Sequence, residues 1–330
     1  MGNFETTELL RQVRLSHIRE SYGVLGNVYI VIASGESWLT SATKAFNLTY
    51  PDGSQVIHNT LATAKAAMVS GRNDLCLLDS NTAHAMSALM DLSQSRMNFL
   101  GISKEGRKYG QRARVTMGVT TSALDIAIIK NTGVGNSFEN IKFDSSNTKD
   151  ESLYSVAEGG EYAIYKNCEF CKSTDLNEDS AAELLCNGDG AQFIDCTFGS
   201  LANAITASGA RPVVLFDRET IAGKVARIVT FKGCNFLYKA GATANRIMYG
   251  SGATDIERSC LIEDCLLHNA ILAGNDPAQA IAFGSSQTEG RVIIKGSTMS
   301  VGCTKLSTTI GVETAGAAVD SGAGIAVNAA

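Results

Sequence analysis

Six short segments of the chain repeat one order of apolar and polar positions: apolar, any, then Asn, Asp or Gly, a small residue, any, and a large apolar residue. They begin at Phe138, Tyr165, Phe193, Phe231, Ile262 and Ile294, at intervals of 27, 28, 38, 31 and 32 residues, so some repeats carry insertions. If positions one, four and six all face a core, the odd step from one to four cannot be made by a plain strand of period two. A bend must intervene, and position three supplies it, because Asn, Asp and Gly tolerate left-handed backbone. Each copy therefore predicts strand, one-residue bend, strand.

Stacking the copies puts Ile141, Cys168, Cys196, Cys234, Cys265 and Ser297 in one internal column and Phe143, Phe170, Phe198, Phe236, Leu267 and Met299 in another. Rungs about 4.8 Å apart let like side chains pack along each column. The same architecture extends upstream through the strand-like runs Leu75–Leu78, Met97–Ile102, Ala113–Met117 and Leu124–Ile129. Thr60 to Met68 places Leu61, Ala64 and Met68 at helical spacing before Gly71, which predicts a short helix covering the open end of the stack. The expected organisation is an N-terminal arm and lead-in strand (1–36), a capping segment (37–72), a parallel β-solenoid (73–303) and a small-residue C-terminal tail (304–330).

From about residue 50 to 300 the chain resembles the right-handed parallel β-helix, or pectin-lyase-like, family. Tyr50-Pro51-Asp52-Gly53-Ser54, the Ala-rich helix and Gly71-Arg72-Asn73-Asp74 leading into Leu75–Asp79 are similar to the first coil of β-helix proteins of tailed bacteriophages, and Phe99-Leu100-Gly101-Ile102 to their second. The resemblance implies an all-β, right-handed single-stranded parallel β-helix with a capping helix and extended terminal arms. The lyases of this family use clustered Asp residues for Ca²⁺ and an Arg or Lys base. No residue here matches that set, so a non-catalytic protein is expected.

Composition narrows the partners. A net charge of −5 from 28 basic and 33 acidic residues argues against nucleic acid and anionic membranes, and no stretch of about 20 apolar residues spans a bilayer. The first residues lack a secretory pattern, so synthesis in a cytoplasm is expected. The nine cysteines are then reduced; Cys168 and Cys171 form a lone Cys-x-x-Cys without a second pair, so neither a metal nor a cofactor is expected.

Candidate chemistry is sparse. Asp175, Glu178, Asp179 and Glu183, the group Asp144, Asp150 and Glu151, and the pair around Asp217-Arg218-Glu219 could supply carboxylates for glycoside hydrolysis, but their setting between repeats favours solvated loops. His17, His58, His84 and His268 are scattered, and Arg107 to Arg114 is the densest basic stretch, read as a solvated loop running into a strand. Gly133-Val134-Gly135 lacks the context of a dinucleotide site. The ends say more: Phe4, Leu9, Leu10, Val13 and Ile18 form the apolar side of an arm too short to fold alone, and are the expected partner contacts. The leading expectation is a trimeric structural protein of a tailed-phage virion, decorating or cementing the major capsid protein through its arms. The alternative is a tailspike or tail-associated protein that binds or cleaves host surface polysaccharide.

Overall fold

In a computed structural model, the described residues are 26–33, 36, 49–50, 52–102, 112–117, 127–144, 153–171, 181–202, 204–205, 207–250, 252, 254–270, 275–283, 290–307 and 312–314. They wind into a parallel β-helix of three sheets. A first sheet of eleven strands, a second of eight and a third of seven are each built from strands of successive coils. Every pairing between named strands is parallel and joins one coil to the next, as in Tyr165↔Phe193↔Phe231 and Phe170↔Phe198↔Phe236.

The bend forms where the repeat requires it. Asn140, Asn167, Asp195, Gly233, Asp264 and Gly296, position three of all six copies, have φ of 57°, 49°, 52°, 64°, 54° and 69°. These single left-handed residues turn the chain from the first sheet into the second, so that in the first five copies positions one, four and six all point inward. A Cβ at Gly233 would sit 2.5 Å from the Asp195 carboxylate, and one at Gly296 would sit 2.2 Å from that of Asp264. Asp and Gly thus alternate in this column, which keeps two carboxylates off adjacent rungs. Asn140 and Asn167, uncharged, can instead follow one another, and Asn167 donates its amide to Oδ1 of Asn140 at 3.2 Å.

The core is a file of rings. Phe99, Phe138, Tyr165, Phe193 and Phe231 stack face to face with centroids 4.7–5.2 Å apart. Phe170, Phe198 and Phe236 form a second stack at 4.6–4.9 Å, edge-on to the first. Cys168, Cys196, Cys234 and Cys265 lie one above another in a buried column. Each thiol points at the carbonyl two residues before it and at one on the preceding coil, as Cys196 does at Ile194 and Tyr165, 3.4 Å from each. Burial raises Cys196 well above the usual thiol range, and hydrogen bonding with Cys234 followed by burial does the same for Cys265. Such thiols serve as small packed hydrophobes.

The sixth copy departs from the expected columns. Leu266 pairs with Met299 and Leu267 with Ser300, so one extra residue follows the bend. Ser297 is exposed, and Met299, 57% accessible, faces solvent instead of the core. Thr298 takes the thiol position, with Oγ1 2.9 Å from the Lys295 carbonyl and accepting from Cys265 N at 3.2 Å. A hydroxyl there reproduces the contacts of the cysteines below it.

The helix Leu61–Ala67 covers the first coil, with Thr60 as its N-cap and Leu61, Ala64 and Met68 buried. Beside it, Arg72 locks the start of the solenoid: Nε and Nη2 grip the buried Asp74 at 2.7 and 2.8 Å, Nη2 reaches Tyr29 Oη at 2.6 Å and Nη1 reaches Asp52 at 3.0 Å. Hydrogen bonds from the Ser54 hydroxyl and amide, then from Arg72, hold Asp52 down to about 2. The strands Val28–Val31 and Val312–Thr314, from the segments assigned to the arm and tail, both join the first sheet.

Phe198→Ala should cost about 3–5 kcal/mol, because it empties the middle of the second ring stack, whereas Met299→Ala should stay within about 0.5 kcal/mol. Urea unfolding of the two variants checks both the stack and the shifted register of the sixth copy.

Candidate functional site

The three corners of the solenoid differ in what they display. The corner between the third and first sheets is built by a second left-handed column, Arg96, Gly135, Tyr162, Gly190 and Ile228, with φ of 57°, 68°, 56°, 67° and 51°. Its cause is a backbone ladder: Arg96 N donates to Val134 O, Gly135 N to Glu161 O, Tyr162 N to Asp189 O and Gly190 N to Arg227 O, at 2.7–2.9 Å. The fold imposes this conformation whatever the side chain. For Tyr162 and Arg96 it costs about 1–2 kcal/mol each, and the β-branched Ile228 is the more unusual occupant.

Long side chains and glycines alternate along this ridge. A Cβ at Gly190 would lie 2.7 Å from Cδ1 of Tyr162, so the tyrosine ring lies across the glycine of the next coil, and Arg96 lies likewise towards Gly135. Tyr162 remains 63% accessible and Ile228 48%, with Val134 and Ile164 also exposed nearby. Large apolar groups held in strained backbone and facing water mark a surface shaped for contact.

One position earlier runs a largely charged column, Val134, Glu161, Asp189 and Arg227, joined by single bridges from coil to coil, with Glu257 of the next coil beside Arg227. Arg227 sits between two acids, 3.7 Å from Asp189 and in contact with Glu257, whose hydrogen bond, with charge attraction, raises the arginine further. Lys224 approaches Glu161 at 3.8 Å. The ridge therefore offers donors and acceptors of both signs, largely compensating each other.

Under the ridge lies a buried polar network. Glu158 accepts from Gly160 N at 2.6 Å, Tyr165 Oη at 2.5 Å and Asn131 Nδ2 at 2.8 Å, while Asn136 donates to Asn131 Oδ1 at 2.8 Å. It fixes the turn Gly159–Ala163 that carries Tyr162. Burial pushes the Glu158 carboxyl up to about 7, against these hydrogen bonds. The outward row of the third sheet contrasts with the ridge. Ala157, Leu185 and Leu215 are apolar and packed with Ile221 of the following loop.

The sequence candidates fall elsewhere. Phe4, Leu9, Leu10, Val13 and Ile18, together with His17, Arg107 to Gln111, Asp150, Glu151, Asp175, Glu178 and Asp179, lie outside the described residues. Asp144 and Glu183 are not on solvated loops: both sit buried in strands, Glu183 beside the fully buried Arg211 at 3.3 Å. Asp217 caps its own turn through Glu219 N and Thr220 Oγ1. Arg112 is no solvated residue either, since it clamps the Asn167 bend and pairs with Glu169 at 2.8 Å. His58, His84 and His268 stay apart, and no group of three His, Cys, Asp or Glu arranged for a metal occurs among the described residues. Tyr162, Ile228, Arg96 and Glu158 were missed. The signal for the ridge was positional: Gly135, Tyr162, Gly190 and Ile228 each precede a repeat start by three residues, as Arg96 precedes Phe99.

No protein-family model matches the sequence, and no curated protein does. Among solved structures the chain is similar to the pectate lyase Pel9A, with a TM-score of 0.57 and 15% identity over 89% of this chain and 69% of that one. It is also similar to a deglycosylated pectin methylesterase from Aspergillus niger, at 0.53 and 12% over 90% and 93%, and to pectin methylesterase PemA from Erwinia chrysanthemi, at 0.51 and 11% over 92% and 93%. At these identities the likeness is one of fold, the pectin-lyase-like parallel β-helix. It corrects the expectation of a non-catalytic protein, because these neighbours are enzymes on the same scaffold and the architecture gives no ground for excluding activity.

A carboxyl raised on folding favours the native state below its unfolded pKa and loses that contribution as pH rises through the folded one. Glu158 should therefore make the protein less stable from about pH 4.5 to about pH 7. Glu158→Gln should flatten that slope in chemical unfolding followed across this range.

Proposed function

We propose that the protein engages polysaccharide through the ridge between its third and first sheets. The observation that carries this reading is Tyr162, a largely exposed ring held in left-handed backbone among paired charges. A tyrosine presents an apolar face and a polar tip, which suits the apolar face and hydroxyl rim of a sugar ring. Glu161 and Asp189 supply acceptors for hydroxyls, and Arg227 and Lys224 supply donors. A solenoid so tightly cross-braced loses little freedom on binding, which favours affinity from few contacts.

The resemblance of residues 50 to 300 to tailed-phage β-helix proteins supports a bacterial surface polysaccharide as the target and a virion as the setting. A capsid-decorating role rests on the terminal arms, outside the described residues, and the described body adds no observation toward it. Glu161 and Asp189, carboxylates on adjacent coils, are the groups to test first for turnover.

Affinity electrophoresis against purified capsular polysaccharide, lipopolysaccharide and plant cell-wall glycans should show retardation by at least one of them. The double variant Glu161→Gln/Asp189→Asn should weaken it about tenfold, roughly 1.4 kcal/mol. Parallel assays for new reducing ends and unsaturated uronates decide whether binding is accompanied by cleavage. No retardation by any glycan would overturn the reading.

A further inference from the structure

Arg96, Tyr162 and Ile228 occupy every second position of one left-handed column, with Gly135 and Gly190 between them. Rungs in a parallel stack lie about 4.8 Å apart, close to the length of one pyranose with its glycosidic oxygen. A β-1,4-linked chain with a two-fold screw turns the same ring face to one side at every second sugar. The two periods coincide.

Resting on the reading that the ridge engages polysaccharide, we propose that its ligand is a linear, uncharged β-1,4-linked glycan lying parallel to the solenoid axis, one sugar per coil, with alternate sugars seated on Arg96, Tyr162 and Ile228. Tyr162 and Ile228 meet like ring faces and the Arg96 guanidinium plane covers a third, while the Tyr162 and Arg96 side chains spread over the glycines of the next coils, beneath intervening sugars that present their opposite faces. Charge complementarity selects the neutral polymer. Along the ridge Glu161 faces Lys224, and Arg227 faces Asp189 and Glu257, so the paired charges supply hydrogen bonds without a strong net field. With its three carboxylates matched by Arg96, Lys224 and Arg227 the ridge gives a polyanion no net attraction, and the chain as a whole carries −5.

The strained backbone makes the assignment testable by effects of opposite sign. Glycine is at ease at φ 56°, so Tyr162→Gly removes the ring and relieves the turn together. Titration calorimetry with cello- and chito-oligosaccharides of two to seven sugars, with oligogalacturonates as the acidic arm, should show affinity rising to five sugars, the span from Arg96 to Ile228, and then levelling. Tyr162→Gly and Ile228→Gly should each lose at least tenfold in affinity while melting at the wild-type temperature or above. Arg96→Gln should lose severalfold. Gly190→Ala, which crowds the ring, should weaken binding as well.

Preference for oligogalacturonates, unchanged affinity in Tyr162→Gly and Ile228→Gly, or a lowered melting temperature in both would overturn this assignment while leaving polysaccharide binding elsewhere on the body intact. Failure of the wild-type protein to bind any of these probes, or any glycan in the electrophoresis panel, would overturn both.

Discussion

A chain that winds in register places every side chain directly above and below its counterparts, one rung away. That vertical neighbour is the constraint on which the rest of this molecule depends. Rings satisfy it by stacking, and the file from Phe99 to Phe231 is the result. Thiols satisfy it by being small and by reaching carbonyls, so a hydroxyl at Thr298 can stand in for one. Charges satisfy it by alternation, as where glycine separates Asp195 from Asp264, by opposite sign, as where Arg227 separates Asp189 from Glu257, or, where two acids do follow one another at Glu161 and Asp189, by a separate cation for each, Lys224 and Arg227.

The bend column was legible in the sequence because its requirement is chemical. Only a few residue types accept a left-handed turn cheaply, and all six copies use them. The core columns were legible for the same reason, up to the sixth copy. There one extra residue moved the register, and the order of residue types alone could not tell whether Ser297 or Thr298 fills the thiol position. Asp144 and Glu183 misled because acidic residues between repeats suggest loops, while one strand ends on Asp144 and another runs through Glu183.

The ridge was hidden for the opposite reason. Its five residues share a conformation and little chemistry, since the coil-to-coil hydrogen bonds impose the turn on Arg96, Gly135, Tyr162 and Gly190 alike, and Ile228 adopts it as well. Conservation of position without conservation of type leaves nothing for a residue pattern to catch. Glu158 was invisible because a lone acidic residue carries no mark of burial; its partners Asn131 and Tyr165 come from the preceding coil and from the next strand. The same network links the interior to the displayed tyrosine, so the surface is only as well defined as the polar cluster beneath it.

The alternation of bulky and empty places over successive coils gives the ridge a parity. Proteins of this kind can lengthen by duplicating turns, and the core would accept any number, since each turn resembles the last. The outer column would not. Adding a single turn would set Tyr162 against a bulky residue or leave two glycines together, whereas adding turns in pairs preserves the pattern. The natural unit of growth for this surface is therefore two coils, although the unit of its interior is one.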